Sequence, residues 1–226
     1  MIQQFKLTKK INLTDDVYEL IFESEKDLTI KPWQFITFLI EKLWGRAYSI
    51  LKLEWKKIVL IIKKREIENW WRWWSKYICE LRIWDSLKWV WPAWAFILQE
   101  NNNNKLFICT WTWFVPLYNQ IIGAINLKQK WKLKLLFWVR EKKDLFYIEE
   151  LEKLKKKNTN FDFEIFLSRE KEEWYNKWYT VDYLTKSNSI KFKEFYICWA
   201  PIMIEKSIDT LNKNWINSEN IYFEKY

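Results

Sequence analysis

The residues best placed to do chemistry sit where an apolar run ends in a turn. Residues 105–118 read Lys-Leu-Phe-Ile-Cys-Thr-Trp-Thr-Trp-Phe-Val-Pro-Leu-Tyr: a strand-like run, then Thr110-Trp111-Thr112-Trp113, then a helical pattern opening at Pro116. With glycine at 111 and 113, this would be a Gly-x-Gly turn whose backbone N–H groups and helix N-terminus approach a pyrophosphate. Written as tryptophan, the same positions block that approach. The fingerprint lacks its third glycine and carries a proline, so by itself it is a weak dinucleotide signal, with an ordinary strand–helix turn the alternative. Other chemistries are removed at once. The chain has no histidine, which excludes His-based triads and most zinc sites. Cys79, Cys109 and Cys198 are odd in number and far apart, against disulfides and CxxC-type metal or iron–sulfur sites and for a reducing cytoplasm. No metal site is expected.

The composition singles out the same turn. The 226 residues include 2 glycines, Gly45 and Gly123, beside 19 tryptophans. Average usage of about 7% glycine predicts roughly 16. The tryptophans fall at turn positions rather than on apolar faces. Trp55 separates two strand-like runs, Trp84 precedes Asp85, Trp131 lies between two lysines, and Trp215 follows Asn214. Asn69 to Ser75 holds four more, Trp70, Trp71, Trp73 and Trp74. Glycine is the usual residue at such places, because it tolerates φ > 0. Reading every tryptophan as glycine restores an ordinary share, about 9%. A gene whose UGA codons mean glycine, translated with a table that reads UGA as tryptophan, gives this pattern. Deliberate engineering is the other route. UGG at most of the 19 codons would refute the recoding reading.

Two kinds of segment must position these residues. The first hundred residues alternate in short runs, Phe5–Leu7, 17–23, 34–40, 47–53, 57–64 and 86–88 with 96–98, spaced as in an antiparallel β-barrel. A short helix over 75–82 interrupts them. Asn101–Asn104 is a polar tract and the expected linker. Beyond it, buried-type strands at 105–109, 132–137, 161–167 and 194–198 alternate with helical stretches at 116–127, 145–157, 179–186 and 202–214. That alternation predicts a Rossmann-like parallel sheet with crossover helices. The expected domains are 1–101 and 102–226. The longest apolar run, Trp89–Leu98, is about half a membrane span and contains Pro92, so no span is expected. The N-terminus has no apolar signal-peptide region. A net charge of +9 points to an acidic partner or to a lysine-rich solvated surface.

Six motifs, in order along the chain, resemble those of the ferredoxin–NADP reductase superfamily. Gly45-Arg46-Ala47-Tyr48-Ser49 resembles its Arg-x-Tyr-Ser flavin motif. With tryptophan read as glycine, Trp91-Pro92-Ala93-Trp94-Ala95-Phe96 resembles Gly-Pro-x-Gly-x-Phe, and Thr110–Trp113 its nucleotide turn. Trp138-Val139-Arg140 is similar to Gly-x-Arg, Cys198-Trp199-Ala200-Pro201 to Cys-Gly-x-Pro, and Glu224-Lys225-Tyr226 to the Glu-x-Tyr ending of plant-type members. The resemblance covers essentially the whole chain. It implies an FAD-binding barrel (1–101) and an NAD(P)-binding α/β domain (102–226), transferring hydride between nicotinamide and flavin N5 and single electrons to ferredoxin or flavodoxin.

Position by position, it implies Arg46 on a flavin phosphate, with Ala47 beside it, and Tyr48 stacked on the isoalloxazine. Ser49 would lie near N5, and Trp74-Ser75 at the helix start facing the FAD pyrophosphate. Thr110, Trp111, Thr112, Trp113 and Pro116, with Arg140, would hold the nicotinamide nucleotide. Cys198, Trp199 and Pro201 would lie by the nicotinamide, and Glu224 and Tyr226 by the flavin. Ser168-Arg169, where the family places the adenosine ribose, suits a 2′-phosphate and so NADP(H), with NAD(H) the alternative. Within the resemblance, a free-flavin reductase or an oxygenase reductase component is the near rival. The other class of reading takes the indoles literally: a basic, tryptophan-rich chain stacking on single-stranded nucleic acid. That reading needs aromatics alternating along exposed strands, whereas they fall in glycine slots, so no nucleic-acid partner is expected.

Overall fold

The computed structural model describes residues 2–28, 34–39, 45–65, 73–93, 96–128, 130–170, 175–177 and 179–225. Tyr226, Trp70, Trp71, Trp94 and Ala95 lie outside the described residues. The chain divides into two compact units, Met1–Ala95 and Phe96–Tyr226.

The first unit is an antiparallel sheet built from β1 (Ile2–Asn12), β2 (Val17–Ser24), β3 (Phe35–Leu39), β4 (Arg46–Ser49), β5 (Lys52–Glu54), β6 (Lys57–Lys63) and β7 (Ser86–Ala93). The order is β4-β3-β7-β1-β2-β6-β5. Apolar residues on one face of each strand meet in one core: Phe5 and Leu7 of β1, Leu20 and Phe22 of β2, Ile36 and Phe38 of β3, and Ile58, Leu60 and Ile62 of β6. Strands near both edges of the sheet therefore share one interior, as a sheet rolled towards a barrel requires. Helix α1 (Trp73–Glu80) covers it with Ile78 and Cys79. Lys10 Nζ donates to the Cys79 and Leu81 carbonyls at 2.9 and 2.7 Å, placing a cation on the helix C-terminus.

The second unit is a parallel sheet in the order β11-β10-β9-β8-β12-β13. Its strands are β8 (Lys105–Thr110), β9 (Leu133–Val139), β10 (Phe161–Leu167), β11 (Asn176–Lys177), β12 (Glu194–Trp199) and β13 (Ile221–Lys225). Between them run α2 (Phe114–Asn126), α3 (Ile148–Lys157), α4 (Thr180–Tyr183), α5 (Lys186–Ser189) and α6 (Pro201–Lys213). Every residue of β8 and β12 is buried, as expected of central parallel strands covered on both faces. The chain builds outward from β8 through β9 and β10, then returns to lay β12 on the other side. The strand order thus reverses between β8 and β12, and such a switch point opens a crevice at the carboxyl ends of the strands.

Several boundaries differ from those expected. The Asn101–Asn104 tract is no linker and belongs to the second unit. Asn101 and Asn103 donate to Glu194 Oε1, and Asn101 Oδ1 accepts from Lys105 Nζ at 2.8 Å. Helix α2 starts at Phe114, which leaves Pro116 inside its first turn, where a missing N–H costs nothing. The single helix expected over 179–186 is two, because Thr185 breaks it and caps α5 through its hydroxyl, which accepts from Asn188 N–H. Strand β7 runs through Pro92 to Ala93, while Phe96–Leu98 is not a strand. Trp89 is also not in a turn: it lies in β7, buried among Phe5, Phe22 and Phe38.

Candidate functional site

In the first unit, β4 carries the expected flavin residues. Arg46 is exposed at its start, opposite Phe38; Ala47 faces Thr37, Tyr48 faces Ile36, and Ser49 faces Phe35. The Tyr48 ring meets Phe38 edge-on, with centroids 5.5 Å apart. Burial pushes its phenol well above the ordinary tyrosine pKa, so it stays neutral and acts as an aromatic surface rather than an acid. Alternation along the strand puts the Arg46 guanidinium and the Tyr48 ring on one face. Ahead of β4, Gly45 sits so close to Thr37 that any side chain would collide with it. Trp74 and Ser75 lie in the first turn of α1, where Ser75 Oγ accepts from Arg65 N–H at 3.3 Å. A phosphate-matching fork, a ring and a hydroxyl on one short strand fit a flavin nucleotide.

In the second unit, the sequence-selected residues converge on the carboxyl ends of β8, β9, β10 and β12. Thr110 ends β8, and its hydroxyl donates to the Trp138 carbonyl at 2.6 Å. Trp111, Thr112 and Trp113 form a 3₁₀ turn into α2. Arg140 follows β9 and is exposed. Ser168 and Arg169 follow β10, their N–H groups donating to the carbonyls of Val139 and Arg140 at 3.3 and 3.0 Å. Pro201 opens α6. Cys198 is fully buried, in register with Cys109 of β8 and Glu224 of β13. Burial first, then the Glu224 charge and Cys109, push its thiol well above the usual range, so it stays protonated. Beside Arg169, Glu141 caps the turn after β9, and its carboxylate reaches Lys143 at 2.7 Å and Arg169 at 4.0 Å.

A nicotinamide nucleotide does not fit this crevice with the side chains present. Trp111 is held at φ 50°, a left-handed conformation that costs a side-chain-bearing residue about 1–2 kcal/mol. Trp199 is 1% exposed, with its ring 5.3 Å from that of Trp138. Trp138 in turn lies 5.5 Å from the Tyr179 ring, and Trp113 packs into the same core cluster. The Arg140 guanidinium sits 5.7 Å over the Trp111 indole. A strand–turn–helix backbone is in place at Thr110–Phe114, and Trp113, Trp138 and Trp199 pack together beside it.

Residues 107–208 match the family described as the oxidoreductase NAD-binding domain. The second unit is therefore similar to NAD-binding domains of oxidoreductases. Over 162 residues, 67% of its length, the chain is 26% identical to a component of the Na(+)-translocating NADH-quinone reductase of Haemophilus ducreyi. The chain spans 39% of that relative's length. Among solved structures, the cytochrome P450 reductase of Amycolatopsis superposes with a TM-score of 0.87 at 16% identity, over 100% of this chain and 69% of that one. The ferredoxin NADP+ reductase of Neisseria gonorrhoeae, solved with bound FAD and NADP, gives 0.85 at 16% identity, over 99% of this chain and 98% of that one. The fold is that of the two-domain reductases. Among the described residues, no helix is long and apolar enough to cross a membrane, and no cluster of His, Cys, Asp and Glu could hold a metal.

Proposed function

We propose that this chain is a flavin- and nicotinamide-dependent oxidoreductase module that moves electrons between NAD(P)H and a one-electron carrier such as ferredoxin or flavodoxin. The match of residues 107–208 to the oxidoreductase NAD-binding domain is the observation that carries the reading. FAD, when bound, supplies the exchange between two-electron and one-electron chemistry. Arg46 would bind its phosphate, Tyr48 and Ser49 its ring, and the start of α1 at Trp74-Ser75 its pyrophosphate. Glu224 and Tyr226 would complete the flavin side. On the nucleotide side, Thr110 to Trp113, Pro116, Arg140, Cys198, Trp199 and Pro201 form the proposed site. Ser168 and Arg169 would read a 2′-phosphate and favour NADPH over NADH. The function belongs to a chain with glycine at its turn tryptophans, the product of UGA codons read as glycine. The net charge of +9 suits an acidic carrier, whose association would weaken with salt.

A second reading, the reductase component of a larger electron-transfer assembly, is favoured by the curated relatives, of which the chain spans only two fifths. Purified glycine-form protein should be yellow and should reduce ferricyanide with NADPH; a colourless protein indifferent to FAD would overturn the flavin reading. Competition between ferredoxin, flavodoxin and free flavin as acceptors separates the rivals. A higher kcat/KM with NADH than with NADPH would overturn the assignment to Ser168 and Arg169.

A further inference from the structure

The indoles at the carboxyl ends of β8, β9 and β12 are at odds with the crevice that those strands build. We infer that Trp111, Trp113, Trp138 and Trp199 act together as a plug, and that nucleotide binding in this crevice appears when all four are glycine. The inference deepens the proposed nucleotide site and rests on that reading.

Three independent features carry it. The first is backbone conformation. Trp111 takes φ 50°, and Trp55, Trp84 and Trp215 take φ 55°, 78° and 68°, so four of the six side-chain-bearing residues described at positive φ are tryptophan. That region of φ suits glycine.

The second is polar satisfaction. The indole N–H of Trp138 is buried with no acceptor among the described residues, and those of Trp89 and Trp131 share this state. Buried donors ordinarily find partners. In the other unit, Trp89 and Phe38 place ring centroids 3.5 Å apart, closer than the roughly 4.5–7 Å of ordinary aromatic pairs. Both signs are those of a side chain too large for its site.

The third is location. Trp138 and Trp199 meet at the ends of β9 and β12, on either side of β8, Trp113 packs against the same cluster, and Trp111 takes up the Arg140 guanidinium. Arg140 would otherwise face the crevice as a cation for phosphate. Thr110, whose hydroxyl is bonded to a main-chain carbonyl of β9, would keep that bond after the indole of Trp138 is removed.

The test compares the full chain as written with a variant carrying Trp111→Gly, Trp113→Gly, Trp138→Gly and Trp199→Gly. Binding of NADP+ is measured by calorimetry and folding by circular dichroism. The expected result is at least about a tenfold gain in affinity, or 1.4 kcal/mol, for the four-glycine chain. Equal affinity in both folded chains would overturn the plug while leaving the proposed function standing. No binding by either folded chain would overturn the nucleotide reading, and the plug with it. Should the four-glycine chain fail to fold, peptide mass spectrometry of NADP+-binding protein from its source cells decides. Glycine at the four positions supports the plug, and tryptophan there refutes it.

Discussion

Replacing Glu194 by glutamine should destabilise the second unit more than any surface change, for reasons visible at the other end of the sheet. Glu194 opens β12 and Lys105 opens β8, and the two are register partners. Their side chains are 2% and 0% exposed, with Nζ to Oε2 at 3.2 Å. The carboxylate also accepts from Asn101 Nδ2, from Asn103 Nδ2 at 2.8 Å and from Tyr196 Oη at 2.9 Å. Burial alone would raise the Glu194 pKa, but these donors and the Lys105 charge hold it below the usual carboxylate range. Glu194→Gln keeps the shape and strands the ammonium, a loss of about 3–5 kcal/mol. For a chain of this size that is roughly 6–20 °C in Tm, at 2–4 °C per kcal/mol. Adding Lys105→Met should recover most of it, since a buried pair exchanged for neutral groups of similar volume is often close to neutral. Because the folded pKa of Glu194 is depressed, its contribution is present above the unfolded value, about 4.3, and is lost as pH falls through the folded value. The glutamine variant should lack that acid-limb dependence. Urea melts of the two variants and the parent at several pH values test this. A single-variant loss under about 1 kcal/mol, or a double variant no more stable than the single, would refute the reasoning.

Three further outcomes follow from the same structure. Trp55, Trp84 and Trp215 are 71%, 70% and 84% exposed and all at positive φ, so changing each to glycine relieves strain without opening a cavity. Relief of about 1–2 kcal/mol per site, less about 0.4–1 for the freer unfolded chain, should raise stability, read as a higher Tm by calorimetry; an unchanged or lower Tm counts against glycine at these turns. Arg46→Ala should weaken FAD retention, seen as loss of flavin absorbance after gel filtration, with the far-ultraviolet spectrum unchanged. Finally, burial lifts the thiols of Cys109 and Cys198 and pushes Cys79 up to about 12. All three should resist a disulfide reagent at pH 8 in the folded protein and react in denaturant; fast native reaction of any one would contradict their burial.

Much of the second unit was legible in the sequence because buried parallel strands announce themselves as unbroken apolar runs. Phe161–Leu167 is found at its expected limits. Strand β13 was not expected, because Ile221-Tyr-Phe-Glu-Lys mixes apolar and charged residues as an edge strand does. The linker was misread for a different reason. Four asparagines look like a solvated tract until Glu194, 93 and 91 residues on, is known to receive the amides of Asn101 and Asn103. Among the tryptophans, the turn reading holds at Trp55, Trp84 and Trp215, where φ is positive. It fails at Trp89, which the alternation of β7 turns inward; local spacing cannot distinguish a misplaced ring from a core one.

The two ends of the central strand pair answer one another. Strands β8 and β12 start at Lys105 and Glu194 and end at Thr110 and Trp199. In a parallel pair, a slip of one residue exchanges the faces of every side chain on the strand. A slip would therefore move Cys198 off Cys109 and turn it to the other face of the sheet. The buried ion pair forbids the slip, because any other register leaves a charge unpaired in the interior. At about 3.3 Å per residue, the lock lies roughly 13 Å from Cys198, at the opposite end of the strand from the proposed nucleotide site. This explains why an expensive buried pair sits at the end of the sheet away from the crevice. It also separates two kinds of variant. The glutamine–methionine pair should fold nearly as well as the parent, yet lose more nucleotide affinity than stability in the four-glycine background, because the packing survives and the register constraint does not.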